Sequence, residues 1–413
     1  MLTKIRNLYA GSGYSFPLLI AFLLPFGINY APIIIVWTFF YLFFGDPVNG
    51  FKKVFKNPWS YVLLAFFFLH VGAYWFSENK QEALVSIEGK MSFFAFSLLL
   101  FCIDYEPLKI KKIVISFVSG CLISVAICLF AACKSYFLHD INSFFSSEFS
   151  LFLHPSYFAM YLVLAQLIVM LFYKDWLINI KNLDVKIGFI TSVFITGIFL
   201  CSSKMGLITA FLLLPTTFAV ILFKRGYKKT IAGLFLSLLI GVFVVYKIAP
   251  SPFERMKVAF SVTASADHID KTASESTAVR ILIWQEAIKI IKAHAMLGVT
   301  PGDTNDKLYK AYEANGMTGA FAKKLNAHNQ YLQTFIGTGL IGFILLCSMT
   351  VYGIVLGFVK RNYILALFSI CITLNFLVES MLQTQAGIVF FVFFLCLFLQ
   401  YDFSKLKDDK TDG

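Results

Sequence analysis

The chain has 413 residues, 59% of them hydrophobic and 14% charged, with 48 Phe and a formal net charge of +12. A soluble protein of this length could not bury so much apolar surface, so the composition points to a polytopic membrane protein. Repeated apolar runs of helix-spanning length, in place of short alternating segments, exclude an outer-membrane barrel.

In chain order, twelve apolar segments are predicted as membrane helices, at roughly 14–30, 31–45, 60–77, 91–104, 113–138, 155–173, 186–202, 205–223, 230–249, 329–358, 363–378 and 386–401. The second is short, as is the fourth unless residues 83–90 join it, and either fits a tilted or partly re-entrant segment. The first contains Pro25 and no clear small-residue cleavage site, so it reads as an uncleaved span. The expected division is 1–249 for the first nine spans, 250–328 for a large polar loop, 329–403 for the last three spans, and 404–413 for a tail.

Basic residues orient these spans. With Lys4 and Arg6 in the cytoplasm, the connections on that side hold Lys52, Lys53, Lys56, Lys109, Lys111, Lys112, Lys224 and Arg225 among others, and the tail adds Lys405, Lys407 and Lys410. The short connections on the opposite side hold only Lys80, Lys90, Lys134 and Lys204. The positive-inside rule therefore predicts cytoplasmic termini and an extracytoplasmic loop. The net charge is accounted for by this bias and gives no reason to invoke nucleic acid. All eight Cys lie within or at the ends of apolar segments, so the loop has no disulfide framework, and no CxxC metal site is present.

Several features fall on the outer face. Tyr74, Trp75 and Tyr157 have the rings to stack on a sugar, although an interfacial aromatic belt explains them as well. Glu88 precedes the fourth span on a segment that also holds Glu82 and Lys90. His154 opens the sixth span in His154-Pro155-Ser156-Tyr157, Lys204 sits in the tight turn Ser202-Ser203-Lys204, and Glu379 lies between the last two spans. A snorkelling lysine is the ordinary explanation of Lys204.

The loop opens with the helix stop Pro250-Ser251-Pro252 and continues polar to Thr277, which can cap a helix from about 278 to 294. Arg280, Trp284, Ala287, Ile288 and Ile291 share one face of that helix. Arg280 lies in the first turn, where the helix dipole disfavours cations; there it is either a solvated surface residue or part of an anion site. A second helix is predicted near 304–314. A third starts near Ala320 and runs straight into the tenth span, carrying Lys323, Lys324 and His328.

Gly337-Thr338-Gly339-Leu340-Ile341-Gly342 matches GxGxxG but follows no strand, so small residues permitting close packing are the better explanation than a dinucleotide site. No P-loop, GxSxG or HExxH pattern occurs. The outer face thus offers Lys204, Arg280 and His328 with the carboxylates Glu88 and Glu379. Cations at a membrane surface suit an anionic lipid head group, and a base beside them suits group transfer without a metal.

Ala327-His328-Asn329-Gln330-Tyr331-Leu332, followed by Gly337, Gly339, Leu340 and Gly342, resembles the signature that closes the large periplasmic loop of bacterial O-antigen ligases and their polymerase and protein O-oligosaccharyltransferase relatives. Arg280-x3-Trp284-x2-Ala287 with Gly298-x3-Gly302 is similar to that family's arginine helix, and Ser202-Ser203-Lys204 stands where many members carry a Ser-Arg pair. The resemblance implies an all-α, GT-C-like inner-membrane glycosyltransferase with about twelve spans and no cofactor or metal. The donor would be a glycan on undecaprenyl diphosphate and the acceptor a glycolipid or other hydroxyl. It implies diphosphate contacts from Arg280 and Lys204, with His328 as base or phosphate ligand. Glu379, His154 and Asn329 would be secondary site residues. Lys204 keeps the charge of the family's arginine but loses its bidentate fork. A lipid-linked oligosaccharide transporter is the other class. It would favour ionisable residues near the bilayer midplane, and His70 is the nearest to that.

Overall fold

The computed structural model describes residues 14–176, 183–224, 271–272 and 277–401. Among them the chain is helical, with no strand. The helices are α1 (Ser15–Leu23), α2 (Ala31–Phe44), α3 (Pro47–Lys56), α4 (Pro58–Ala73), α5 (Lys80–Phe101), α6 (Pro107–His139), α7 (Ser146–Phe149) and α8 (Pro155–Trp176). They continue with α9 (Leu183–Leu200), α10 (Lys204–Lys224), α11 (Thr277–Ala293), α12 (Thr304–Ala314), α13 (Thr318–Ala322), α14 (Gln330–Val359), α15 (Tyr363–Phe376) and α16 (Gln385–Leu399). Every predicted apolar segment within the described residues is a helix. The one at 230–249 lies outside them, as do the Pro250-Ser251-Pro252 stop and the cationic ends of the chain.

Among the described residues six helices are long and apolar enough to cross a membrane: α4 with the 3-10 turn Tyr74–Phe76 that follows it, α5, α6, α8, α10 and α14. Helices α2 and α3, bent by 114° at their junction, make a seventh if taken as one broken span. Asp46 caps α3 at this bend, and Pro47 takes the first helical position. The short fourth segment is completed as anticipated, because residues 83–90 join it in α5. Four apolar helices are shorter: Ser15–Phe26, Val185–Leu200, α15 and α16.

Helix α16 shows why a short helix suffices. Its residues 387–398 are buried on every face, so it is a central strut of about 22 Å rather than a lipid-facing span. It is packed by α5 and α15, and Tyr161 of α8 stacks on Phe390 with ring centroids 4.1 Å apart. Phe117, Phe368, Phe394 and Phe398 continue this aromatic core.

The segment from α11 to His328 has its own apolar cluster, including Val279, Ile283, Ala287, Leu308, Tyr312, Ala320 and Ala327, closed by Ile336 of α14. Two of its fastenings to the bundle lie away from Arg280 and His328. One is a break in α14 at Gly339, whose φ is +63°. In an unbroken helix Leu340 N–H would donate to the Ile336 carbonyl. Here Val299 N–H donates to Ile336 at 2.8 Å, and Leu340 N–H donates to Ala295 at 2.9 Å. A Cβ at Gly339 would lie 2.3 Å from the Met296 carbonyl oxygen, so only glycine permits this approach. The GxGxxG stretch therefore does serve close packing, against the 294–299 backbone.

The second fastening is Asp303, which is buried. It accepts from the N–H groups of Glu78 at 3.0 Å and Asn79 at 2.8 Å, and from the Thr300 hydroxyl at 2.7 Å. Asn79 in turn caps α5 through Glu82 N–H and donates to Asp306.

Candidate functional site

Glu379 is the centre of the charged cluster. It follows the end of α15, ahead of the 3-10 turn Met381–Gln383. Arg280 Nη2 donates to its Oε1 at 3.0 Å, and His328 Nδ1 meets its Oε2 at 3.4 Å. All three side chains are partly shielded, with 20% of Glu379, 23% of His328 and 32% of Arg280 exposed. Burial pushes the Glu379 carboxyl up. The hydrogen bond from His328 and the positive charges of Arg280 and His328 outweigh burial and hold it below its ordinary value.

Arg280 stands at the start of α11 but does not point to its helix end. Nη1 donates to the Val378 carbonyl at 2.9 Å while Nη2 takes the carboxylate. The fork thus reads two successive residues of the turn between α15 and α16. Two of its five N–H groups are engaged among the described residues. The first-turn placement noted in the sequence is explained by this carboxylate, which offsets the unfavourable dipole position.

His328 sits on a turn, which corrects the expected continuous helix from Ala320. Helix α13 ends at Ala322, the chain turns at Lys324 with φ +49°, and His328 itself has φ +43°. Left-handed backbone costs a non-glycine residue on the order of 1 kcal/mol or more, and histidine adopts it more readily than most. The turn is held on both sides. Trp284 Nε1–H donates to the Ala327 carbonyl at 2.9 Å, the Ala327 N–H donates to Gln333 at 2.9 Å, and His328 N–H donates to Asn326 at 2.9 Å. Trp284, one turn beyond Arg280, thereby ties the arginine helix to the histidine.

Asn329 is a cap. Its Oδ1 accepts from Tyr331 and Leu332 N–H at 3.0 and 3.1 Å, and its Nδ2 donates to the Leu377 carbonyl at 3.0 Å. Its own N–H donates to Ser380 Oγ at 3.2 Å, and Gln330 Oε1 accepts from Leu382 N–H at 2.7 Å. Residues 328–330 and 377–382 are thus zipped together. Ser380 and Gln330 belong to this seam, and the only sequence sign of that was their position beside Glu379 and His328.

Lys204 and His154 stand apart from the cluster. Lys204 begins α10 and is exposed, with no hydrogen bond or ion pair among the described residues. Its neighbour Ser203 donates to Ser156 at 3.4 Å, which connects this turn to the start of α8. His154 is exposed, accepts from Ser156 N–H at 3.4 Å, and lies 6.1 Å from the Tyr157 ring. Tyr157 is buried, hydrogen-bonds Thr384 and lies within electrostatic reach of Glu379, so it is a site wall rather than an open stacking platform. Trp75 is exposed. Glu88 is exposed on α5, away from the cluster's contacts. Lys90, counted with the outer connections, is instead buried within α5. Among the described residues no group of three or more His, Cys, Asp and Glu side chains is placed to hold a metal.

In this helical membrane protein the loop thus clamps a carboxylate between an arginine and a histidine. Residues 188–347 match the family model of O-antigen ligases, and over that segment the chain is similar to that family. Members of that family are membrane glycosyltransferase-like enzymes, ligases or polymerases. The matched segment contains Lys204, Arg280, His328 and Asn329, whereas Glu379 and His154 lie outside it. No curated protein matches the chain.

Proposed function

We infer that the protein moves a preassembled glycan from undecaprenyl diphosphate to an acceptor hydroxyl, of the kind a lipopolysaccharide core provides. The reaction is inverting and metal-independent. It takes place on the periplasmic face of a bacterial inner membrane that the chain spans about twelve times with both termini inside. The observation that carries this reading is the Glu379 carboxylate held between Arg280 and His328.

The chemistry follows from the atoms. A carboxylate accepts, so the His328 ring in its neutral form carries its proton on Nδ1, facing Glu379, and presents a lone pair at Nε2. Nε2 removes the acceptor hydroxyl proton as the oxygen attacks the anomeric carbon. The bond from that carbon to the diphosphate oxygen breaks, and its electron pair leaves with the lipid diphosphate. Arg280 has N–H groups to spare for the charge that develops there, and Lys204 supplies a second cation from the start of α10, apart from the cluster. Glu379 stabilises the imidazolium that forms. Its depressed basicity suits that role better than that of a base.

Deletion of the gene followed by separation of the cell's glycolipids and glycoproteins tests the reading. Loss of long-chain lipopolysaccharide with accumulated lipid-linked glycan is the expected result. A single-repeat ladder would assign a polymerase, and loss of protein glycosylation a protein acceptor. Unchanged profiles would remove the transferase.

A further inference from the structure

Lys90 is a basic residue in an apolar helix with no countercharge among the described residues. It lies in the third turn of α5 and is 3% exposed. Its Nζ donates to the Leu382 carbonyl, and among the described residues no carboxylate pairs with it. His70 of α4 is within electrostatic reach. Its Nδ1 donates to the Phe66 carbonyl at 2.8 Å, which leaves no acid on that side either. Burying an unpaired ammonium costs several kcal/mol, and a methionine of similar length would avoid that cost. An ionisable residue kept inside a span under these terms marks a function.

The bond Lys90 makes is where the function lies. Leu382 belongs to the 3-10 turn that follows Glu379 and Ser380. On one side that segment is held by His328, Asn329 and Gln330, the last accepting from the Leu382 N–H. On the other side Lys90 takes the carbonyl of the same residue. The turn bearing Glu379 is therefore clamped at Leu382 through both its peptide N–H and its carbonyl, by side chains that are both buried.

We propose that Lys90 is a positioning residue for the transfer reaction: its ammonium fixes the 379–382 turn from behind, so that Glu379 meets Arg280 and His328 in register. This rests on the glycosyl-transfer reading given above. It assigns to Lys90 no contact with substrate.

The test compares wild type with Lys90→Met, Lys90→Arg, Glu379→Gln and the Lys90→Met/Glu379→Gln double variant, each purified full length and supplied with a lipid-diphosphate-linked glycan and acceptor. Initial rates and thermal midpoints are read together. Lys90→Met is expected to lower kcat by about tenfold or more, since small misplacements at a site cost that much, with the donor KM unchanged. Its thermal midpoint should be equal to wild type or higher, Lys90→Arg should recover part of the rate, and the double variant should be no slower than Glu379→Gln alone. An unchanged kcat in Lys90→Met overturns the proposal. So does a rate loss that comes with a lowered thermal midpoint and adds to that of Glu379→Gln, which would mark a merely structural lysine. If Glu379→Gln itself leaves the rate intact, the reading of the site fails first, and that outcome is separate.

Discussion

His328 and Glu379 meet across 51 positions of sequence, Nδ1 to Oε2 at 3.4 Å, where the chain enters α14 and leaves α15. This contact fixes which imidazole nitrogen is left for chemistry. Glu379→Gln retains an acceptor for Nδ1 but removes the charge that steadies the imidazolium. The expected effect is a fall in kcat of roughly 10- to 100-fold with little change in protein yield. Initial rates on purified protein measure it, and a wild-type rate would remove Glu379 from the mechanism.

Arg280 is expected to act on the donor. Arg280→Ala should cost about 10²- to 10³-fold in kcat/KM for the lipid-diphosphate donor, the usual scale for losing a charged donor to a developing anion. Arg280→Lys should recover only part, because an ammonium cannot bond Val378, Glu379 and a phosphate together as a planar fork can. Equal rates in all three proteins would contradict the assignment.

Acid should loosen the loop. Glu379 and Asp303 both titrate below their ordinary values of 4.5 and 3.8, the first held down by His328 and Arg280, the second by Thr300, Asn79 and Glu78. In both, burial pushes the other way and is outweighed. A depressed carboxyl stabilises the fold fully above its unfolded value and loses that contribution as pH falls through its folded value. Thermal stability should be insensitive to these groups from pH 7 to 5 and decline below about pH 4.5. Asp303→Asn should flatten the lower part of that decline, as read from thermal midpoints across a pH series.

The break in α14 gives a prediction about stability alone. Gly339→Ala would place a methyl group against the Met296 carbonyl at a backbone angle that alanine rarely adopts. A loss of about 1–3 kcal/mol is expected. Hydrogen exchange at Val299 and Leu340, whose N–H groups bond across this junction, should accelerate.

Much of this was legible before the structure. The apolar periodicity located the helices, because burial in lipid or core demands long apolar runs whatever the tertiary packing. Arg280 stood out as a cation in the first turn of a helix, which left it either a surface residue or an anion contact, and His328 stood out through the surrounding motif rather than its position. What could not be read is pairing at a distance. Nothing local in Glu379 or Ser380 says that residues 328–330 will zip against them, and nothing in Lys90 separates an interfacial lysine from a buried one. The straight helix expected from Ala320 failed for a related reason: Trp284 and Gln333 hold the 326–328 turn through side-chain bonds to backbone that no periodicity encodes. Hydropathy likewise does not show which apolar helix is buried on every face, as α16 is.

The most direct measurement is glycan transfer by purified His328→Ala protein reconstituted with a lipid-diphosphate-linked donor and a hydroxyl acceptor, with EDTA present throughout. The account predicts that the wild type remains active, while the variant inserts and folds normally but loses transfer by about 10²-fold or more. Wild-type transfer by the variant, or a wild-type enzyme silenced by EDTA and restored by magnesium, would contradict it.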